Sequence, residues 1–163
     1  MSLPEPAPDN DFLAFHTERL RFSHRRWTGR ELIDAARDPV DAARRLYHAP
    51  FALVSHGVED DPVFNYANLT AQRLFDMDWQ TFTRLPSRLS AETPQQAQRR
   101  RLLEQVSRHG YISDYRGIRI ARNGRRFLIE GAVVWNVVDE RGDYHGQAAC
   151  FGRWRFIDPQ RKS

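Results

Sequence analysis

Residues 51–68 read Phe51-Ala-Leu-Val-Ser-His-Gly-Val-Glu-Asp-Asp-Pro-Val-Phe-Asn-Tyr-Ala-Asn68. Phe51–Ser55 is a short apolar run that His56-Gly57 ends, and Val63–Tyr66 is a second one that follows Asp60-Asp61-Pro62. Together they predict a β-hairpin with a polar turn. Asn68 then stands where a helix N-cap belongs, its side chain able to accept from a first-turn N–H, ahead of Leu69, Leu74 and Phe75. A hairpin that runs directly into a helix frames everything on either side.

Towards the C-terminus, Asp78 opens a further short helix at Trp79-Gln-Thr-Phe82 that stops before Pro86. Pro86 and Pro94 keep the pieces short, which suits a segment that wraps rather than bundles. Gln95 to His109 is the clearest helix of this part, with Leu102, Leu103 and Val106 inward and Gly110 as its terminator. Strands are expected at Tyr111–Ala121, Arg125–Asp139 and Tyr144–Ile157, joined by turns at Arg122-Asn123-Gly124 and Glu140-Arg141-Gly142-Asp143. On the middle strand, alternation puts Phe127, Ile129, Val133 and Trp135 on one face and Leu128, Val134 and Val138 on the other. Both faces are apolar, so this strand is central and the sheet is covered twice. One cover is the helical stretch between Asn68 and His109; the other is either the N-terminal part of the chain or a second copy of it.

Before residue 50 the period is helical. Phe12, Leu13, His16, Leu20 and Trp27 recur every three to four residues, and Gly29 ends that run. A short second helix is expected through Leu32, Ile33 and Ala36. Asp38-Pro39 then opens a third that buries Val40, Ala43, Leu46 and Tyr47 and stops near Ala49-Pro50. The chain therefore divides into a loose tail at 1–8, a helical segment at 9–49, the sheet-bearing body at 50–157 and a tail at 158–163. The fold class is α+β: five antiparallel strands with helices inserted after the second, preceded by the helical segment.

Composition removes several classes. The 163 residues are 28% charged but include ten Phe, five Tyr and four Trp, enough for a packed core. No stretch approaches the roughly 20 apolar residues of a membrane span, and the N-terminus lacks the pattern of a signal peptide, so a cytoplasmic protein is expected. Cys150 is the single cysteine, which excludes an internal disulfide and a thiolate zinc cluster. The six histidines have no helical metal-pair spacing, and no metal is expected. Of 25 basic residues 24 are arginine, and residues 94–126 hold nine arginines against Glu104 and Asp114. Arg99-Arg100-Arg101 with Arg122, Arg125 and Arg126 could track phosphates. No helix-turn-helix or RNA-binding signature accompanies them, so they are read as a solvated face and nucleic acid stays a secondary alternative.

The strand–strand–helices–strand–strand–strand order resembles the PAS fold, with Tyr66-Ala-Asn68 and Asn123-Gly124-Arg-Arg-Phe127 in the places of its usual features. More specifically the chain resembles a bacterial member of the MEKHLA family, a PAS-related domain also found at the C-terminus of certain plant homeodomain–zipper regulators. The residues that carry this are Phe51–Gly57, Asp61–Asn68, Leu85-Pro-Ser-Arg-Leu-Ser-Ala-Glu92, Asp114-Tyr-Arg-Gly-Ile-Arg119 and Gly146-Gln-Ala-Ala149, over about residues 9–155. The resemblance implies a sensory or ligand-binding module without catalytic residues to carry over, and a homodimer by analogy.

A domain of this kind binds small molecules between the sheet and the inserted helices. Phe127, Ile129 and Trp135 line that space if their face points to those helices. Tyr115 and Arg119 join them if the Arg122–Gly124 turn spans three residues; a two-residue turn would send them to the opposite face. The PAS resemblance favours three. A buried Arg119 costs several kcal/mol without a counter-charge, so it should meet Glu92, Glu130 or an anionic organic ligand. Arg88, in the irregular Pro86–Glu92 stretch, could fork onto the same anion or lie on the surface beside a capped helix. Haem is disfavoured because Asn68–Arg108 contains no histidine, and a flavin–cysteine photoreceptor because Cys150 is on the last strand. His56 could fix its hairpin by donating to Asp60 or Asp61. The cofactor therefore remains unknown. Ser55-His56 are strand neighbours on opposite faces and support no nucleophile–base pair, so an enzyme using the same pocket is the alternative reading. The expected function is a small-molecule sensor or interaction module that signals by self- or partner association, with Phe12, Leu20 and Trp27 as contact candidates.

Overall fold

The computed structural model describes residues 2–157, so the tail expected at 158–163 lies outside the described residues. After a 3₁₀ turn at Pro8–Leu13 come α1 (Ala14–Thr28) and α2 (Pro39–Tyr47), then β1 (Ala52–His56) and β2 (Phe64–Ala67). The insert holds α3 (Leu69–Phe75), α4 (Trp79–Phe82), a 3₁₀ turn at Ser87–Ser90 and α5 (Thr93–His109), and it leads to β3 (Tyr111–Ile120), β4 (Arg126–Val138), β5 (Tyr144–Phe151) and β6 (Arg153–Ile157). All pairings are antiparallel, in the order β2-β1-β5-β4-β3, with β6 also on β4. β5 and β6 occupy the position of the one last strand read from the sequence, broken at Gly152.

The local stop and start signals act as side-chain chemistry requires. Asn68 Oδ1 accepts from Ala71 N at 3.1 Å, Asp78 Oδ1 from Thr81 N at 2.8 Å and Asp38 Oδ1 from Asp41 N at 2.8 Å. Asn68 also ties three segments together, accepting from Leu53 N and donating to Leu46 O and Phe51 O. Three expectations fail before residue 50. Residues 29–38 form bends and no helix, where Thr28 Oγ accepts from Arg30 N and His24 Nδ1 donates to Arg30 O. Val40 is exposed, its place in the α2 core being taken by Ala42. Residues 3–8 are not loose: Trp79 Nε1 donates to Leu3 O at 2.9 Å, Tyr47 Oη donates to Glu5 Oε1 at 3.1 Å and Pro6 is buried.

The sheet has two apolar faces, and different helices cover each. Phe75, Phe82, Leu102, Val106, Phe127, Ile129 and Val134 form the inner core with the insert. Leu13, Leu20, Leu46, Tyr66 and Trp135 form the outer core with the N-terminal helices. Ser23 locks α1 to β4 by accepting from Val138 N and donating to Val138 O, both at 2.8 Å. The second cover is therefore the N-terminal part of the same chain. Leu20 is fully buried in it, so it is a core residue here rather than an exposed contact for a partner.

Candidate functional site

The position of each site residue follows from two backbone features. The first is the β3–β4 turn. Ala121 N donates to Arg125 O and Arg119 lies opposite Phe127, so the turn spans the three residues 122–124. That parity points Tyr115 and Arg119 at the insert, with Ile129. The second is at Gly131, whose φ of +65° suits glycine. Gly131 and Gly152 both fall between the Glu130↔Arg153 and Val133↔Cys150 pairs, and the two strands turn over there together. Before the turnover Phe127 and Ile129 face the insert; after it Ala132 and Val134 do. Trp135 is thereby sent to the outer core, edge-on to His24 with ring centroids 4.9 Å apart. The expectation that Trp135 lines the ligand space is corrected: plain alternation carried it across a bulge.

Between the inner sheet face and the insert lies a cavity of about 70 Å³. Its apolar lining includes Phe75, Leu102, Ile129, Val134 and Phe151, and its polar lining includes His56, Ser90, Arg99, Tyr115, Arg119 and Gln147. Phe127 is not in the lining itself but packs on Phe75 behind it, at 5.0 Å between centroids. Arg88 is also outside. The 3₁₀ turn buries Ser87 and Ser90 while Arg88 projects outwards, where Nε donates to Asp61 Oδ1 at 3.1 Å. A wider surface groove of about 510 Å³ lies between α1 and the β4–β5 turn, where Arg21 pairs with Glu18 and Arg25 with Glu31.

Arg119 is 7% exposed. Its Nη1 donates to Ile118 O at 2.9 Å and its Nη2 to Tyr115 Oη at 3.1 Å, and the phenol in turn donates to Gln98 Oε1 at 3.1 Å. The carboxylates expected to meet it are engaged elsewhere: Glu92 pairs with Arg126 and Glu130 with Arg155. Among the described residues, no carboxylate pairs with Arg119. Sequence reading missed its companion. Arg99 points inward from α5, where Nη2 donates to Ser87 Oγ at 2.7 Å, and it too has no carboxylate pair among the described residues. Burial first, then the charge of Arg119, pulls the Arg99 guanidinium down to about 10. Only its position three residues before Leu102, which faces the core, could have separated it from exposed Arg100 and Arg101.

His56 was also misplaced. It does not reach Asp60 or Asp61; Nδ1–H donates to Gly57 O at 3.0 Å, and Nε2 is buried without a partner. Burial holds this imidazole below the ordinary histidine range, and the charge of Arg99 pushes the same way. Gln147 beside it gives Nε2 to Leu103 O and to Asn136 Oδ1, both at 3.1 Å. On the opposite face Ser55 donates to Asn65 Oδ1 at 2.5 Å, which leaves His16 Nε2–H to donate to Ser55 Oγ at 3.0 Å. Burial takes His16 down to about 4. That Ser–His contact lies under α1, away from Arg119. Among the described residues no cluster of three or more metal-ligating side chains occurs, and no helix is long and apolar enough to cross a membrane.

A sheet in this order with its helices inserted after the second strand, closed over a small cavity, defines a PAS-like domain. The MEKHLA domain matches residues 14–156, and the chain belongs to that family. Homeobox-leucine zipper protein HOX9 of Oryza sativa, in both subspecies indica and japonica, is 26% identical over 133 residues. The match covers 79% of this chain and 16% of the plant proteins' length, and these plant relatives give no support to the bacterial source suggested by the sequence resemblance. Among solved structures, the PAS domain of a protein from Colwellia psychrerythraea superposes with a TM-score of 0.57 at 14% identity, covering 71% of this chain and 93% of that one. An RNA-binding light-oxygen-voltage receptor gives 0.55 at 18% identity, covering 74% and 34%. At these identities the likeness is one of fold.

Proposed function

We propose that this chain is a sensory and interaction module whose signal is a small anionic organic molecule held in the cavity between the sheet and the insert. One observation carries the reading: Arg119 is buried at that cavity without a carboxylate partner among the described residues. A buried guanidinium without a counter-charge costs several kcal/mol, and an anion in the cavity removes that cost. The ligand would also join α5 to β3, since Arg99 comes from one and Arg119 from the other. Occupancy then changes how firmly α5 sits on the sheet, and that change is what a partner or a second copy reads.

A flavin does not fit. A cavity of about 70 Å³ is under half of the ~150 Å³ that accepts benzene, so neither a tricyclic ring nor haem has room. Cys150 does not line the cavity, and burial pushes its thiol up to about 12.

Native mass spectrometry of the protein purified from its own host tests the reading. A bound mass released on denaturation, together with slower amide exchange in α5 when that mass is retained, is the expected result. Ligand-free protein with the same α5 exchange as every loaded sample would remove it.

A further inference from the structure

Resting on that reading, we infer that the ligand is a short hydroxycarboxylate, its carboxylate clamped between Arg99 and Arg119 and its hydroxyl donated to His56 Nε2. Three groups on three elements converge on one small space. Arg99 on α5 and Arg119 on β3 supply two guanidinium groups with no carboxylate pair among the described residues. Both arginines keep donors beyond the bonds they already make, and a guanidinium carries five N–H groups in a planar fork that suits a carboxylate. The third group, His56 on β1, is different in kind. Its Nδ1 proton is committed to Gly57 O, so the buried Nε2 is an acceptor, and an anion alone would leave it unsatisfied.

An O–H donor carried by the ligand completes the set. Size restricts the carbon skeleton: about 70 Å³ is under half of the ~150 Å³ that accepts benzene, so the acid has two carbons and no more. Phe75, Leu102 and Val134 give its carbon chain an apolar wall. Until the anion arrives the two guanidinium groups repel one another, which adds to burial, the larger cause, in lowering the Arg99 affinity for its proton.

Thermal unfolding with millimolar glycolate, acetate, glycolamide and sodium chloride, all at one ionic strength, separates the requirements. Glycolate and acetate differ at the hydroxyl, glycolate and glycolamide at the charge. The expected result is a Tm rise with glycolate that exceeds the rise with acetate at least twofold, and none with glycolamide or chloride. His56→Leu should bring glycolate down to the level of acetate. Arg99→Gln should abolish the response to both acids while raising the Tm of the ligand-free protein, because it removes one of two like charges. The rise in ligand-free Tm also reports that the variant folds. Equal shifts from glycolate and acetate, a shift from chloride as large as that from glycolate, or a fall in ligand-free Tm for Arg99→Gln would overturn the assignment. If none of the acids binds but native mass spectrometry still finds a small bound molecule, this inference fails and the sensor reading stands; if both are negative, both fail.

Discussion

Asn136 on β4 and Gln147 on β5 face each other across the sheet, with Gln147 Nε2 donating to Asn136 Oδ1 at 3.1 Å, and both reach the last turns of α5. Asn136 Nδ2 donates to Val106 O at 3.0 Å and Gln147 Nε2 to Leu103 O at 3.1 Å. Val106 O also accepts from Gly110 N at 2.8 Å, so these amides add a tether from the sheet to the C-terminal half of α5. Nearer the start of the helix, Arg99 Nη2 donates to Ser87 Oγ and Gln98 Oε1 accepts from Tyr115 Oη, so α5 is tied at both halves, with the cavity's arginines at the earlier tie.

Asn136→Ala removes the bond to Val106 O and the acceptor for Gln147 Nε2, while Val106 O keeps Gly110 N and Gln147 keeps Leu103 O. A loss of about 1–3 kcal/mol in unfolding free energy is expected. Hydrogen exchange should accelerate over residues 102–110 more than over β4. A uniform acceleration would show that the pair stabilises the sheet and not the helix.

Acid sensitivity should come largely from His16. Its folded pKa of about 4 is below its ordinary 6.5, so the unfolded chain binds the proton more readily. Stability is then full above pH 6.5 and is lost as the pH falls from 6.5 to about 4, by roughly 3 kcal/mol in all. His24 and His56 are shifted in the same direction and steepen the same window. Urea titrations across pH 4–7 check this. His16→Gln should flatten the slope even though its stability at pH 7 is lower; an unchanged slope would contradict the burial of a neutral His16 against Ser55 and Tyr66.

Gly117 is required by its neighbour. A Cβ there would stand 2.1 Å from Tyr115 Oη, the atom that accepts from Arg119. Gly117→Ala should cost about 1–3 kcal/mol in the native protein, as overpacked sites do. In a Tyr115→Ala background the space is empty, and the same change should cost less than about 0.5 kcal/mol. Additive costs in the double-mutant cycle would place the conflict elsewhere.

Much of the fold was legible because short-range chemistry decides it. Asn68, Asp78 and Asp38 cap helices with their own side chains, and Gly29 and Gly110 end them; the length of the 122–124 turn, which brings Tyr115 and Arg119 to the insert, was favoured by the PAS resemblance and not by its local residues. What alternation could not carry was the turnover at Gly131 and Gly152, where two strands change face together; Trp135 went to the wrong side for that reason alone. Arg88 and Arg99 exchanged roles because a 3₁₀ turn and an α-helix present successive residues differently, and a run of three arginines conceals which one points inward. His56 was legible as a strand end, but its empty Nε2 depends on which carbonyl Nδ1 finds in three dimensions.

The most direct test of a ligand-holding cavity is a crystal structure of protein taken straight from its host without extensive dialysis. Continuous density too large for water, in contact with the Arg119 guanidinium and bounded by Phe75 and Val134, is the predicted result. Isolated water peaks there, or a side chain from α5 or Tyr115 swung in to fill the space, would contradict it.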